Sequence, residues 1–96
     1  MALLSDEEIQ AGLEGLAGWE HTEGALSKEY GFDSFRRSVT FVVAVAFAAE
    51  AANHHPDLDI RYSRVRVTLS THSEGGVTAK DLELASAVEE AAGASS

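Results

Sequence analysis

Phe35-Arg36-Arg37-Ser38-Val39-Thr40-Phe41-Val42-Val43-Ala44-Val45-Ala46-Phe47-Ala48-Ala49-Glu50-Ala51-Ala52 is the stretch that decides the fold. It is rich in alanine and holds no glycine or proline, which favours a helix over residues 35–52, capped by Asp33 or Ser34. Phe35, Val39, Val42, Ala46 and Ala49 form one stripe at helical spacing, and Val43, Val45 and Phe47 widen it around the cylinder. A helix apolar over so much of its girth is buried on more than one side. In a chain of 96 residues one side can pack on a sheet; the other then needs a partner subunit, so a homo-oligomer is expected. The apolar run over residues 39–49 is too short to span a membrane, which takes about 18–20 residues. Charged Arg36, Arg37 and Glu50 flank it. Asn53-His54-His55-Pro56-Asp57 ends the helix, and Pro56 biases His55 towards extended backbone.

Towards the C-terminus, residues 64–71 alternate as a half-buried strand does. Val65, Val67, Leu69 and Thr71 point one way; Arg64, Arg66, Thr68, Ser70 and His72 point the other. Ser73-Glu74-Gly75-Gly76 reads as a turn and Val77-Thr78 as a brief strand. A last helix opens at Thr78-Ala79-Lys80-Asp81, with Leu82, Leu84, Ala85 and Val88 as its apolar face. Gly93 is expected to stop it and to leave residues 93–96 as a frayed tail. Towards the N-terminus, Ser5 with Glu8 forms a capping box for a helix to about Leu13. Gly12, Gly15 and Gly18 punctuate the segment after it. Residues 19–23 and 25–32 then read as a hairpin turning at Gly24. The order is helix, two strands, helix, one or two strands, helix. That predicts a single α+β domain over residues 1–96, a sheet with its helices on one face.

The formal net charge is −9, from 16 acidic and 7 basic residues. Such a chain repels phosphate backbones and anionic membranes. No Lys/Arg run exceeds two residues, so neither a nucleic-acid nor a membrane partner is expected. The absence of cysteine excludes disulfides, zinc-thiolate sites and cysteine nucleophiles. The first eight residues carry no basic region or long apolar run, which predicts a cytoplasmic protein.

Chemistry concentrates in the histidines. His54 and His55 stand at the end of the central helix and His72 at the end of the clearest strand. If that strand runs back beside the helix end, three imidazoles share one cleft and divide the roles of proton donor and acceptor. Against this stands the plainer reading, that adjacent histidines at a helix C-terminus only meet the helix dipole. Metal binding is disfavoured, since contiguous histidines seldom converge on one ion and no HxH or HxxxH spacing occurs. Asp81 lies three residues after Thr78, so it reads as a reciprocal cap that also holds the loop carrying His72. Glu50 lies one turn before His54 and can either orient an imidazole or face solvent. His21 has no partner motif and reads as a surface or edge residue. Gly75-Gly76 is turn chemistry, without the pattern of a phosphate loop.

Taken in order, Glu50, His54-His55-Pro56, Tyr62, His72 and Asp81 resemble the pterin-4a-carbinolamine dehydratase family. Leu69-Ser70-Thr71-His72, Gly76-Val77-Thr78-Ala79-Lys80-Asp81-Leu82, Gly18-Trp19 and Phe32-Asp33-Ser34-Phe35 are similar to it as well. The likeness covers most of the chain. It departs after the triplet, where Asp57-Leu58-Asp59 replaces a frequent aromatic pair and leaves less aromatic wall for a pterin. The resemblance implies an α+β fold with a four-stranded antiparallel sheet. It also implies a dimer joined through sheet edges or a tetramer joined through the central helices. The implied reaction removes water from 4a-hydroxytetrahydropterin to give quinonoid dihydropterin, in tetrahydrobiopterin recycling, with no cofactor and no metal. His54, His55 and His72 would carry the acid–base steps. Asn53, His54, His55, Ser70, Thr71, His72 and Ser73 would bind the pterin, supported by Glu50, Pro56, Tyr62 and Asp81. Some relatives instead serve as dimerisation cofactors of a transcription factor or resemble Rubisco assembly factors, so a protein-binding module is the alternative. Survival of all three histidines favours the enzyme. A dehydratase acting on another pterin is a third reading.

Overall fold

A computed structural model describes residues 2–95. Three helices and four strands run in the order α1 (Asp6–Leu13), β1 (Glu20–Thr22), β2 (Ala25–Gly31), α2 (Phe35–Ala52), β3 (Asp57–Arg61), β4 (Arg64–Leu69) and α3 (Ala79–Ser95). A single 3-10 turn, His72–Glu74, lies between β4 and α3. The sheet is antiparallel throughout, with strand order β1-β2-β4-β3. This is the expected α+β architecture. The capping box of α1 is present, with Ser5 and Glu8 bonded reciprocally at 2.8 and 3.1 Å.

Pairing sets which side chains face the helices. Leu26 stands opposite Leu69, Lys28 opposite Val67 and Tyr30 opposite Val65, and each such pair lies on one face of the pleat. Leu26, Val65, Val67 and Leu69 are completely buried beneath Phe41 and Val45 of α2 and Ala85 and Val88 of α3. Glu29, Arg64, Arg66, Asp57 and Asp59 occupy the outer face and are exposed. The β1–β2 loop has two residues, Glu23 at φ 51 and Gly24 at φ 75. Positive φ at both positions is what a twist-compatible hairpin loop of this length requires.

Three expectations needed correction. The fourth strand is β3, at the far edge beside β4; Val77-Thr78 forms no strand, and only a Thr71–Gly76 bridge remains there. Asp57-Leu58-Asp59-Ile60-Arg61 does alternate, but its charged residues and the preceding proline disguise it. Gly93 does not stop α3, which continues to Ser95; the expected frayed tail is helical there, and Ser96 lies outside the described residues. One glycine costs an alanine-rich helix only about 1 kcal/mol. Finally, α2 buries Ser38, Phe41, Val45 and Ala49; of the expected stripe Phe35, Val39 and Ala46 are exposed, as are Val43 and Phe47 beside it. The helix is apolar on two faces, as its composition demands, but the sheet covers the Phe41 face. Among the described residues no helix is long and apolar enough to cross a membrane.

Lys28 would be a costly guest on the inner face of β2. Its ammonium donates to the Ala17 carbonyl at 2.7 Å and to Glu89 at 2.5 Å. The same Glu89 oxygen accepts from Trp19 Nε1 at 3.1 Å and from the Tyr30 hydroxyl. Burial alone would push the Glu89 carboxyl up, but the Lys28 and Tyr30 donations, the Lys28 charge and Trp19 together hold it below its ordinary value. Burial, reinforced by Glu89, pushes the Tyr30 hydroxyl up. A carboxylate lowered in the folded state contributes stability above its unfolded value of about 4.3, and loses it as pH falls through the lower folded value. Urea midpoints should therefore fall more steeply below about pH 4.3 in the wild type than in Glu89→Gln. Parallel curves would contradict this role for Glu89.

Candidate active site

Asn53 ends α2 in the left-handed conformation, at φ 50 and ψ 45. Its N–H donates to the Glu50 carbonyl at 3.1 Å, and the His54 N–H reaches back to the Ala49 carbonyl at 3.0 Å. This pair of bonds is the Schellman arrangement, which Asn tolerates almost as glycine does. It reverses the chain so that His54 turns inward and is 9 % exposed, while His55 stays outside. Pro56 then leads directly into β3. Because Asp57 pairs with Thr68, residues 54–56 and the end of β4 share one end of the sheet.

The N-terminus of α3 meets them there. Asp81 is completely buried, and its Oδ2 accepts from the Thr78 N–H at 2.9 Å. The Thr78 hydroxyl in turn accepts from the Lys80 N–H at 3.3 Å. The expected cap is therefore built. Asp81 also does something its spacing did not disclose: its Oδ1 lies 2.6 Å from His54 Nε2. Oδ2 takes a second donor, the Thr71 hydroxyl, at 2.8 Å. Thr71 and Thr78 are joined hydroxyl to hydroxyl at 2.8 Å. One carboxylate thus joins the ends of α2, β4 and α3.

His72 comes directly after Thr71 on the 3-10 turn and is exposed. The turn is closed by Thr71 N–H to Gly76 carbonyl at 2.8 Å, and Gly75 ends it at φ 75. His55 Nε2 lies 2.9 Å from Glu50, both side chains being exposed. Glu50 therefore orients the second histidine of the pair; Asp81 holds the first. Ser70 donates to the Gly24 carbonyl at 3.0 Å and ties down the β1–β2 loop. Asn53 and Ser73 are exposed beside the histidines in sequence. Tyr62 is not brought to this end. It sits exposed at the β3–β4 loop with φ 54, about 16 Å along the strand from Asp57 at the usual rise per residue. His21 lies on edge strand β1 and is half-buried, lining a groove with Leu4, Ile9 and Val77.

An enclosed imidazole locked to a carboxylate, with two accessible imidazoles on adjoining segments, is equipment for moving protons. A family model described as pterin 4 alpha carbinolamine dehydratase matches residues 2–91. A protein of Roseiflexus castenholzii named "Putative pterin-4-alpha-carbinolamine dehydratase" is 48 % identical over 89 residues, 93 % of this chain and 96 % of that one. A crystal structure described as a transcriptional coactivator/pterin dehydratase, from Brucella melitensis, superposes with a TM-score of 0.90 at 35 % identity, covering 94 % of this chain and 98 % of that one. A pterin dehydratase-like RuBisCO assembly factor of the alpha-carboxysome shares the fold, with a TM-score of 0.66 at 22 % identity over 78 % of this chain and 87 % of that one. The chain belongs to the pterin-4a-carbinolamine dehydratase family.

Proposed function

We propose that this chain removes water from 4a-hydroxytetrahydropterin, giving quinonoid dihydropterin in cytoplasmic tetrahydrobiopterin recycling. The observation that carries the reading is the convergence of the His54-His55 and Thr71-His72 segments on Asp81. Dehydration needs two proton movements: the hydroxyl on C4a gains a proton as the C–O bond breaks and leaves as water, and a ring nitrogen loses one. Histidines with accessible ring nitrogens suit both steps near neutral pH. In this proposal His54, His55 and His72 exchange the protons. Asn53, Ser70 and Ser73 complete the pterin surface, Thr71 being withdrawn from it by its buried bonds to Asp81 and Thr78, and Glu50, Pro56 and Asp81 support it.

Decay of chemically generated 4a-hydroxytetrahydropterin, monitored by stopped-flow absorbance, tests this. Wild type should accelerate it, and His55→Ala or His72→Ala should each lose about 10²–10⁴-fold if that residue transfers the proton. No acceleration by folded wild type would overturn the reading in favour of a protein-binding module.

The same proposal includes self-association through α2. Phe35, Val39, Val43 and Phe47 recur every four residues on its uncovered face, and Phe47 is 74 % exposed. Second copies of the helix would bury that stripe in a homodimer or homotetramer. Phe47→Glu should lower the mass found by sedimentation to that of a smaller species; an unchanged mass would exclude this face.

A further inference from the structure

We infer that Asp81, aimed by Thr71 and Thr78, fixes the tautomer of His54, placing its proton on Nε2 and leaving Nδ1 as the nitrogen offered to substrate. The Thr71 hydroxyl has one hydrogen, which goes to Asp81 Oδ2. An ionised carboxylate only accepts, so nothing returns from Asp81. The bond between the two threonine hydroxyls must then run from Thr78 to Thr71. The Thr78 oxygen meanwhile accepts from the Lys80 N–H. With the Thr78 N–H also donating to Oδ2, that oxygen holds two donors. Oδ1 is left to the imidazole, and the group facing it there must donate. His54 therefore carries hydrogen on Nε2.

Among the described residues the His54 ring is bonded through Nε2, not Nδ1. No buried side-chain nitrogen or oxygen among the described residues lacks a partner, so Nδ1 reaches the surface. In neutral His54 it holds a lone pair, which makes it an acceptor. Thr71 is thereby a positioning residue. Its hydroxyl is committed inside the protein, and the side chain is only 7 % exposed. Its contribution reaches substrate through Asp81 and His54, by aiming the carboxylate and by anchoring the turn that carries His72. The catalytic consequence rests on the dehydratase proposal; the tautomer does not.

Long-range ¹H–¹⁵N correlation spectra of the full chain, taken where the histidines are neutral, read the tautomer directly. Wild type should show His54 protonated at Nε2 with a bare Nδ1. Asp81→Asn should reverse this. The Asn carbonyl would turn to the two donors at the Oδ2 position, and its NH₂ would donate to Nε2. Thr71→Val should keep the wild-type tautomer, because a carboxylate presents an acceptor to Nε2 however it turns. Thr71→Ser, which keeps the hydroxyl, should match wild type in both spectrum and kcat. A wild-type Nδ1–H or an unchanged Asp81→Asn spectrum would overturn the inference. In the dehydration assay Thr71→Val should lower kcat about 10-fold with KM unchanged, the low end of what outer partners of functional histidines contribute at metal sites. A rise in KM alone with wild-type spectra would make Thr71 a pterin contact instead. Absence of activity in wild type would refute the dehydratase proposal and leave the spectra to judge the tautomer.

Discussion

Asp81→Asn is expected to lower kcat for dehydration by about 10²–10⁴-fold while the protein stays folded. The substitution keeps the shape of the side chain. Its carbonyl can still accept from the Thr78 N–H and the Thr71 hydroxyl, so the start of α3 keeps its cap. What changes is the atom facing His54. Where Oδ1 accepted from Nε2 at 2.6 Å, an NH₂ now donates. The imidazole must move its proton to Nδ1 and lose the lone pair it would present to a pterin. The negative charge that would stabilise a protonated His54 is lost as well. A thermal melt near that of wild type, beside the collapse in kcat, is the expected pair of results. Unchanged kcat would show that His54 takes no part as a base. Asp81→Ala is a poorer probe, because it removes the acceptor of Thr71, Thr78 and His54 together and risks the fold.

Phe41→Ala is expected to cost about 3–5 kcal/mol of stability. Phe41 is completely buried. Its ring centroid lies 4.9 Å from that of Tyr30 and 5.1 Å from that of Phe32. It thus joins α2 to β2 and to the residue just after β2. Removing the ring leaves a cavity between a helix and a sheet that are both anchored elsewhere, so collapse is only partial. Against the roughly 5–15 kcal/mol typical of a domain, such a loss brings the protein close to unfolding at ambient temperature. The urea midpoint should drop with the slope unchanged. A loss below about 1 kcal/mol would mean that the site repacks, contrary to the close packing around Phe41.

The two large predictions also mark what the sequence could and could not disclose. The helix over residues 35–52 and its two apolar faces are legible in composition and period, but its register is not. Phe41, Val45 and Ala49 repeat every four residues, and so do Phe35, Val39, Val43 and Phe47. Which set meets the sheet depends on tertiary contacts. Alternation in residues 64–71 translates directly into the buried row Val65, Val67 and Leu69. The same alternation in β3 is obscured because an edge strand carries charge on its exposed face. Spacing disclosed the Thr78–Asp81 cap, since it is local. Nothing local could disclose the bond between Asp81 and His54, 27 residues apart, because it depends on how α2 and α3 meet. The signal that pointed nearest to it was Thr71, a polar residue in the inward row of Val65, Val67 and Leu69 that needs a partner inside the protein.

Three histidines at one end of the sheet are proposed to give this chain its pterin dehydratase activity. The most direct test compares wild type with a folded His54→Ala/His55→Ala/His72→Ala variant in the rate of loss of 4a-hydroxytetrahydropterin, each against buffer alone. Wild type should accelerate the loss, and the triple variant should leave it at the buffer rate. Equal acceleration by both proteins, or by neither, would contradict the claim.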